Sequence, residues 1–99
     1  MQRQRFRFTL YVAGESLRSA RATANLERLA REHLGGDAQI TVVDVTAEPG
    51  RAEAERILTT PTLVKEAPEP PRRVTGDLGD IALVAQALGL ADSYSTNRG

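Results

Sequence analysis

The sequence predicts a single α/β domain with the element order β-α-β-α-β-β-α. Three observations predict it. A period-two apolar pattern opens the chain, a five-turn amphipathic stretch follows and stops at paired glycines, and an apolar run then returns to strand character. At 99 residues the chain fits one domain, with a core over residues 6–90 and a polar tail over 91–99 expected to fray. A domain of this size buries roughly 60–65% of the surface its unfolded form exposes, enough for one modest core.

Phe6, Phe8, Leu10 and Val12 alternate with Arg7, Thr9 and Tyr11, the pattern of a strand with one buried face. Ala13-Gly14-Glu15 breaks it, and Ser16 is placed to cap a helix. From Leu17 to Leu34 the apolar residues Ala22, Leu26, Leu29 and Ala30 recur at helical spacing. Gly35-Gly36 then accepts the left-handed turn that ends a helix. Ile40 to Val45 reads as a second strand, apolar on both faces, and is expected to be central and parallel to the first.

Pro49 opens a short helix expected to reach Leu58, with only Ala54, Ile57 and Leu58 as its apolar stripe. Pro61 leads into a third strand, the three prolines of Ala67–Pro71 demand a loop, and Arg72–Thr75 makes a fourth strand. Gly76–Asp80 supplies turn and capping residues for a last helix, whose apolar face is Ile81, Val84, Ala85 and Leu88. A βαβ unit followed by ββα is the layout of thioredoxins.

Composition excludes several functions. The chain has no cysteine, so it has no disulfide, no zinc–thiolate or iron–sulfur site and no thiol catalysis. The place where a thioredoxin carries its CxxC cysteines is here Gly14-Glu15-Ser16-Leu17, and Ser16 reads as a cap. Thr60-Pro61-Thr62 does resemble the threonine–cis-proline of thioredoxins, which makes Pro61 a candidate cis-proline. Thirteen basic and thirteen acidic residues balance, which argues against a nucleic-acid partner. Lys65 is the single lysine among arginines. No apolar run suits a membrane span or a secretory leader, so a soluble, cytoplasmic protein is expected. His33, the single histidine, lacks the companions a metal site needs, and no glycine loop has the Walker lysine or the dinucleotide pattern. No catalytic residue, cofactor or metal is expected. Arg3, Arg5 and Arg7 alternate along the first strand and read as a solvated face.

Leu10-Tyr11-Val12-Ala13-Gly14 resembles the first-strand signature of the KaiB family. Ile57–Lys65 resembles that family's central segment, and Pro70–Leu78 its proline–arginine–glycine–aspartate block. Val43-Asp44-Val45 and Pro49 fall at matching spacing, and the resemblance runs from Phe6 to about Leu90. The related sensor domain of the clock kinase SasA shares the fold.

The resemblance implies a non-enzymatic adaptor that binds the N-terminal ATPase ring of a hexameric KaiC-like protein in a circadian, timing or stress-signalling system. It implies docking through Arg21, Lys65, Arg72 and Arg73, and a histidine kinase or another clock-like component as further partner. It also implies a metamorphic chain. The residues after about 50 would have an alternative, self-associating resting fold, dimeric or tetrameric, with Gly76 and Gly79 as hinges. The tail after Leu90 is less acidic than the family's, which points to a KaiC-like ATPase outside the cyanobacterial clock. The other reading is a thioredoxin-fold sensor or scaffold domain with an unrelated protein partner.

Overall fold

In a computed structural model, which describes residues 5–90, the chain forms β1 (Phe6–Val12), α1 (Leu17–Leu34), β2 (Ala38–Asp44), α2 (Pro49–Ala54), β3 (Thr62–Ala67), β4 (Arg72–Thr75) and α3 (Ile81–Ala87). The order matches the expectation. Arg3 and the tail 91–99 lie outside the described residues. The four strands form one sheet in the order β2-β1-β3-β4. β1 and β2 run parallel, as a helix crossover requires, and β3 is antiparallel to both β1 and β4.

Two expectations about the sheet change. β1, expected to bury one face, is buried on both. Phe8, Leu10 and Val12 enter the main core, while Thr9 and Tyr11, each 2% exposed, are buried on the other side. The reason is position, because β1 has a neighbour on each edge and cover on each face. β2, expected to be central, is an edge strand. Only Val43 is fully buried, and Val42 is 48% exposed. A β-branched run fits any pleated, half-buried surface and does not by itself specify the middle of a sheet. The strand also starts earlier than expected, at Ala38, and ends at Asp44.

The main core lies between the sheet and the two long-faced helices. Phe8, Leu10 and Leu63 from the strands meet Leu26 and Leu29 of α1, Val84 and Ala85 of α3, and Leu88 at the C-cap of α3. The opposite face has a smaller cluster of Tyr11, Val43 and Val64, with Val45 and Ile57 packed on it.

The helix ends follow local chemistry. Ser16 Oγ accepts from Ser19 N at 3.1 Å, and Asp80 Oδ1 accepts from Leu83 N at 3.1 Å, so both are N-caps. Gly35 ends α1 at φ +61°, a conformation open to glycine because it has no Cβ. α2 stops at Ala54, short of the expected Leu58. Arg56 takes φ +56°, its N–H reaches Glu53 O at 3.1 Å, and Ile57 N reaches Ala52 O at 2.9 Å. Those two bonds close a Schellman turn with an arginine where glycine is usual. Leu58 is left 91% exposed.

Candidate functional site

At the C-terminal end of β1 the chain builds the corner where a redox enzyme of this layout keeps its sulfur. Asp44 organises it. Its Oδ1 accepts from Gly14 N at 3.0 Å, from Thr46 N at 3.0 Å and from Thr46 Oγ1 at 2.7 Å. The Gly14 N–H, then the Thr46 hydroxyl and N–H, hold this carboxyl below the usual carboxylate range. Ser16 is occupied as the cap of α1, and it also donates to Ser19 Oγ at 2.9 Å. Val12, Gly14, Ser16, Ser19 and Thr23 line a shallow, mostly apolar hollow of about 450 Å³ beside it. Pro61 is fully buried after a cis Thr60–Pro61 bond, as the candidate assignment expected, and Pro61 O accepts from Gly76 N at 2.9 Å. Cis bonds also precede Pro68 and Pro70. The corner thus keeps the scaffold of the redox site and carries hydroxyls and a carboxylate where a thiol would be needed.

The four expected docking cations do not form one face. Lys65 and Arg72 are brought together as direct cross-strand partners of β3 and β4. Arg73 pairs with Val64 instead, and strand alternation turns it to the opposite side of the sheet. Arg21 is exposed on α1, and Arg72 is exposed at the start of β4. Neither side chain makes a hydrogen bond or ion pair among the described residues.

The other two cations are engaged within the chain. Lys65 is only 4% exposed, and its Nζ donates to Pro68 O at 2.8 Å. Burial, and then the Arg72 guanidinium, hold its ammonium below the ordinary lysine pKa. Arg73 Nη2 donates to Glu55 O at 3.1 Å and lies 3.8 Å from Glu55 Oε1, so it caps the end of α2 and ties it to β4. The expectation that Lys65, Arg72 and Arg73 present a common basic surface is corrected for Lys65, which is buried and bonded to Pro68 O. A residue pattern cannot reveal which side of a strand an arginine takes until the register is known.

Around Arg73 the α2 side of the sheet holds mixed charge. Glu55, Val64, Glu66, Pro71, Arg72 and Arg73 line a groove of about 450 Å³. Glu66 accepts from Thr9 Oγ1 at 2.9 Å. Burial, then Glu55 and Glu66, push the Tyr11 phenol up, against the pull of Arg51 and Arg73. Sequence reasoning placed Tyr11 on the solvent side and missed this cluster. The available signal was its aromatic character within a strand of strong β formers.

The hinge candidates differ. Gly76 adopts φ +105°. Gly79 does not enter the left-handed region, and a Cβ there would meet Asp77 Oδ1 at 3.1 Å. Two residues that the sequence did not single out, Arg56 and Leu78, hold positive φ without being glycine. A second apolar surface was also missed. Val45, Pro49, Ala52, Ile57 and Leu58 line a groove of about 570 Å³ beside α2. Among the described residues no helix is long and apolar enough to cross a membrane. No group of three or more His, Asp or Glu side chains among them is arranged to hold a metal ion.

Comparison with known proteins places this geometry. A family model described as the KaiB domain matches residues 9–90. The circadian clock protein KaiB3 of Synechocystis sp. is 39% identical over 90 residues, covering 91% of this chain and 88% of that protein. The circadian clock oscillator protein KaiB of Microcystis aeruginosa is 42% identical over 81 residues, covering 82% and 78%. Among solved structures, the N-terminal domain of Synechococcus elongatus SasA aligns with a TM-score of 0.71 at 25% identity, covering 90% of this chain and 88% of that one. Mitochondrial thioredoxin 3 of Saccharomyces cerevisiae aligns at 0.67 with 16% identity over 88% and 77%, which speaks to the thioredoxin-like fold alone.

Proposed function

Because this chain belongs to the KaiB family, we propose that it is a cytoplasmic, non-enzymatic adaptor of a KaiC-like hexameric ATPase. In this reading it docks on the N-terminal ring and modulates the ATPase's output in a circadian, timing or stress-signalling system. The observation that carries the proposal is the KaiB-domain match over residues 9–90, which spans all three helices and the sheet apart from the first three residues of β1. The missing cysteines agree with an adaptor. So does a surface that keeps Arg21 and Arg72 free of internal partners among the described residues. The test is binding of the recombinant KaiC-like ring from the same host, by interferometry, to the wild-type chain and to Arg72→Glu. Wild type should bind, and the variant should bind more slowly, because a rim charge acts mainly on association rate. Failure of the wild-type chain to bind at any nucleotide state of the ring overturns the proposal.

The same reading includes a second, self-associating fold for the residues after about 50. Two strained positions support it. Arg56 lies between α2 and β3, and Leu78 lies between β4 and α3, so each non-glycine positive φ falls at a joint of the region that would rearrange. Such residues cost of order 1 kcal/mol or more each and narrow the gap to a competing fold. Duplicate amide resonances for residues 50–90, with one set for 6–45, would support this. The likeness to the SasA domain favours one alternative. In that alternative the chain is a thioredoxin-fold sensor or scaffold module that meets a kinase or another protein in place of a KaiC-like ring. A pull-down from the native host separates the two.

A further inference from the structure

Lys65 is the one cation of the expected docking set that the fold hides. Its Nζ is spent on Pro68 O at 2.8 Å, and 4% of the residue is exposed. The loop it reaches cannot fasten itself. Residues 68, 70 and 71 are prolines, which offer carbonyls but no N–H. Among the described residues the backbone of 68–71 enters no turn hydrogen bond. An acceptor-rich, donor-poor loop calls for a donor from outside, and an ammonium has three donors and no acceptor. The loop leads directly to Arg72, the exposed cation and the cross-strand partner of Lys65. Glu66, next in sequence, faces the other side of the sheet, where it holds Thr9.

We propose that Lys65 is a positioning residue: it pins the 67–71 loop from inside the sheet and so fixes Arg72 for docking, without itself touching the partner. This rests on the docking reading above. A lysine that met the partner directly would have to abandon Pro68 O and emerge from the sheet beside a guanidinium of like charge.

The experiment compares Lys65→Met, Lys65→Arg and Arg72→Gln with wild type, after thermal unfolding has shown each to be folded. Backbone ¹⁵N relaxation of Ala67, Glu69 and Arg72 reads the loop. Binding to the recombinant KaiC-like ring at several salt concentrations reads the docking. Lys65→Met keeps the long apolar stem and loses the donor. It should loosen the three amides and raise Kd by about threefold to tenfold, less than the full worth of one charge-assisted hydrogen bond because the bond acts on docking only through the loop. The salt dependence of Kd should stay as in wild type, since no contact charge is lost. Arg72→Gln should flatten the salt dependence and leave the loop ordered, and Lys65→Arg, which keeps a donor, should restore order. Unchanged relaxation in Lys65→Met overturns the proposal whether or not the ring binds. A salt dependence flattened by Lys65→Met as much as by Arg72→Gln also overturns it and makes Lys65 a contact. A wild-type chain that ignores the ring overturns the docking reading and, with it, the docking half of this proposal, while the relaxation data still decide the pinning half.

Discussion

Truncating Leu10 to alanine tests the placement of β1 at the centre of the sheet. Leu10 is 0% exposed and lies between Val42 of β2 and Leu63 of β3, within the cluster that includes Leu26 and Leu29. Strands hydrogen-bonded on both sides cannot close in on the vacated space, so the cavity term stays near its full size. The expected loss is about 3–4 kcal/mol, within the range for buried leucines. At about 4–8 °C per kcal/mol for a domain of this size, Tm should fall by about 12–30 °C. The matched control is its neighbour Val42, 48% exposed on the edge strand. Val42→Ala removes about two methylene equivalents, half of them already in water, and leaves no closed cavity. Its cost should be about 0.5–1 kcal/mol. Urea unfolding followed by circular dichroism at the helix band, with both variants sharing the wild-type m-value, gives the two numbers. Equal losses for Leu10→Ala and Val42→Ala would refute the argument, because they would require β2 to be as enclosed as β1.

Three further outcomes are expected. Ser16→Ala should lower stability by about 1 kcal/mol through loss of the α1 cap, while Ser16→Gly should cost a few tenths, measured by the same denaturation. Asp44 has its pKa depressed in the folded chain, so its contribution is present above the unfolded value of about 4 and is lost as pH falls through the lower folded value. A plot of Tm against pH should therefore drop less steeply at the acid end in Asp44→Asn than in wild type, and parallel curves would refute the assignment. In an insulin-reduction assay with dithiothreitol the protein should match the blank, because it has no sulfur nucleophile beyond the thioether of Met1. Turnover above the blank would remove the adaptor reading.

The elements most legible in the sequence are those whose signal is local. Ser16 and Gly35 bracket α1 by capping chemistry. The period-two run gives β1 its limits, and the prolines of 68–71 fix the loop between β3 and β4. What was not legible depends on register or on contacts distant in sequence. Val42 and Val43 are chemically alike, yet one is half exposed and the other buried, because only the sheet order decides which side has cover. α2 ends early because Arg56 takes a conformation that no pattern of side chains announces. The docking cations were legible as residues and not as a surface. Arg72 and Arg73 are adjacent in sequence yet pair with different residues of β3, and Lys65 is claimed by a carbonyl three residues away.

The unequal dressing of the two sheet faces has a mechanical consequence. One face is sealed by α1 and α3. The other is roofed by α2, which buries none of its residues and is held down by Ile57 and by the bond from Arg73 to Glu55. Lifting that roof exposes little apolar area, so it should cost far less than global unfolding. Arg51 and Arg56 stand exposed at the roof and its eave. Trypsin acting on the native protein should therefore nick the interior of the chain there first, before any arginine of α1. The nicked molecule should keep its main core, with two fragments travelling as one particle until denaturant is added.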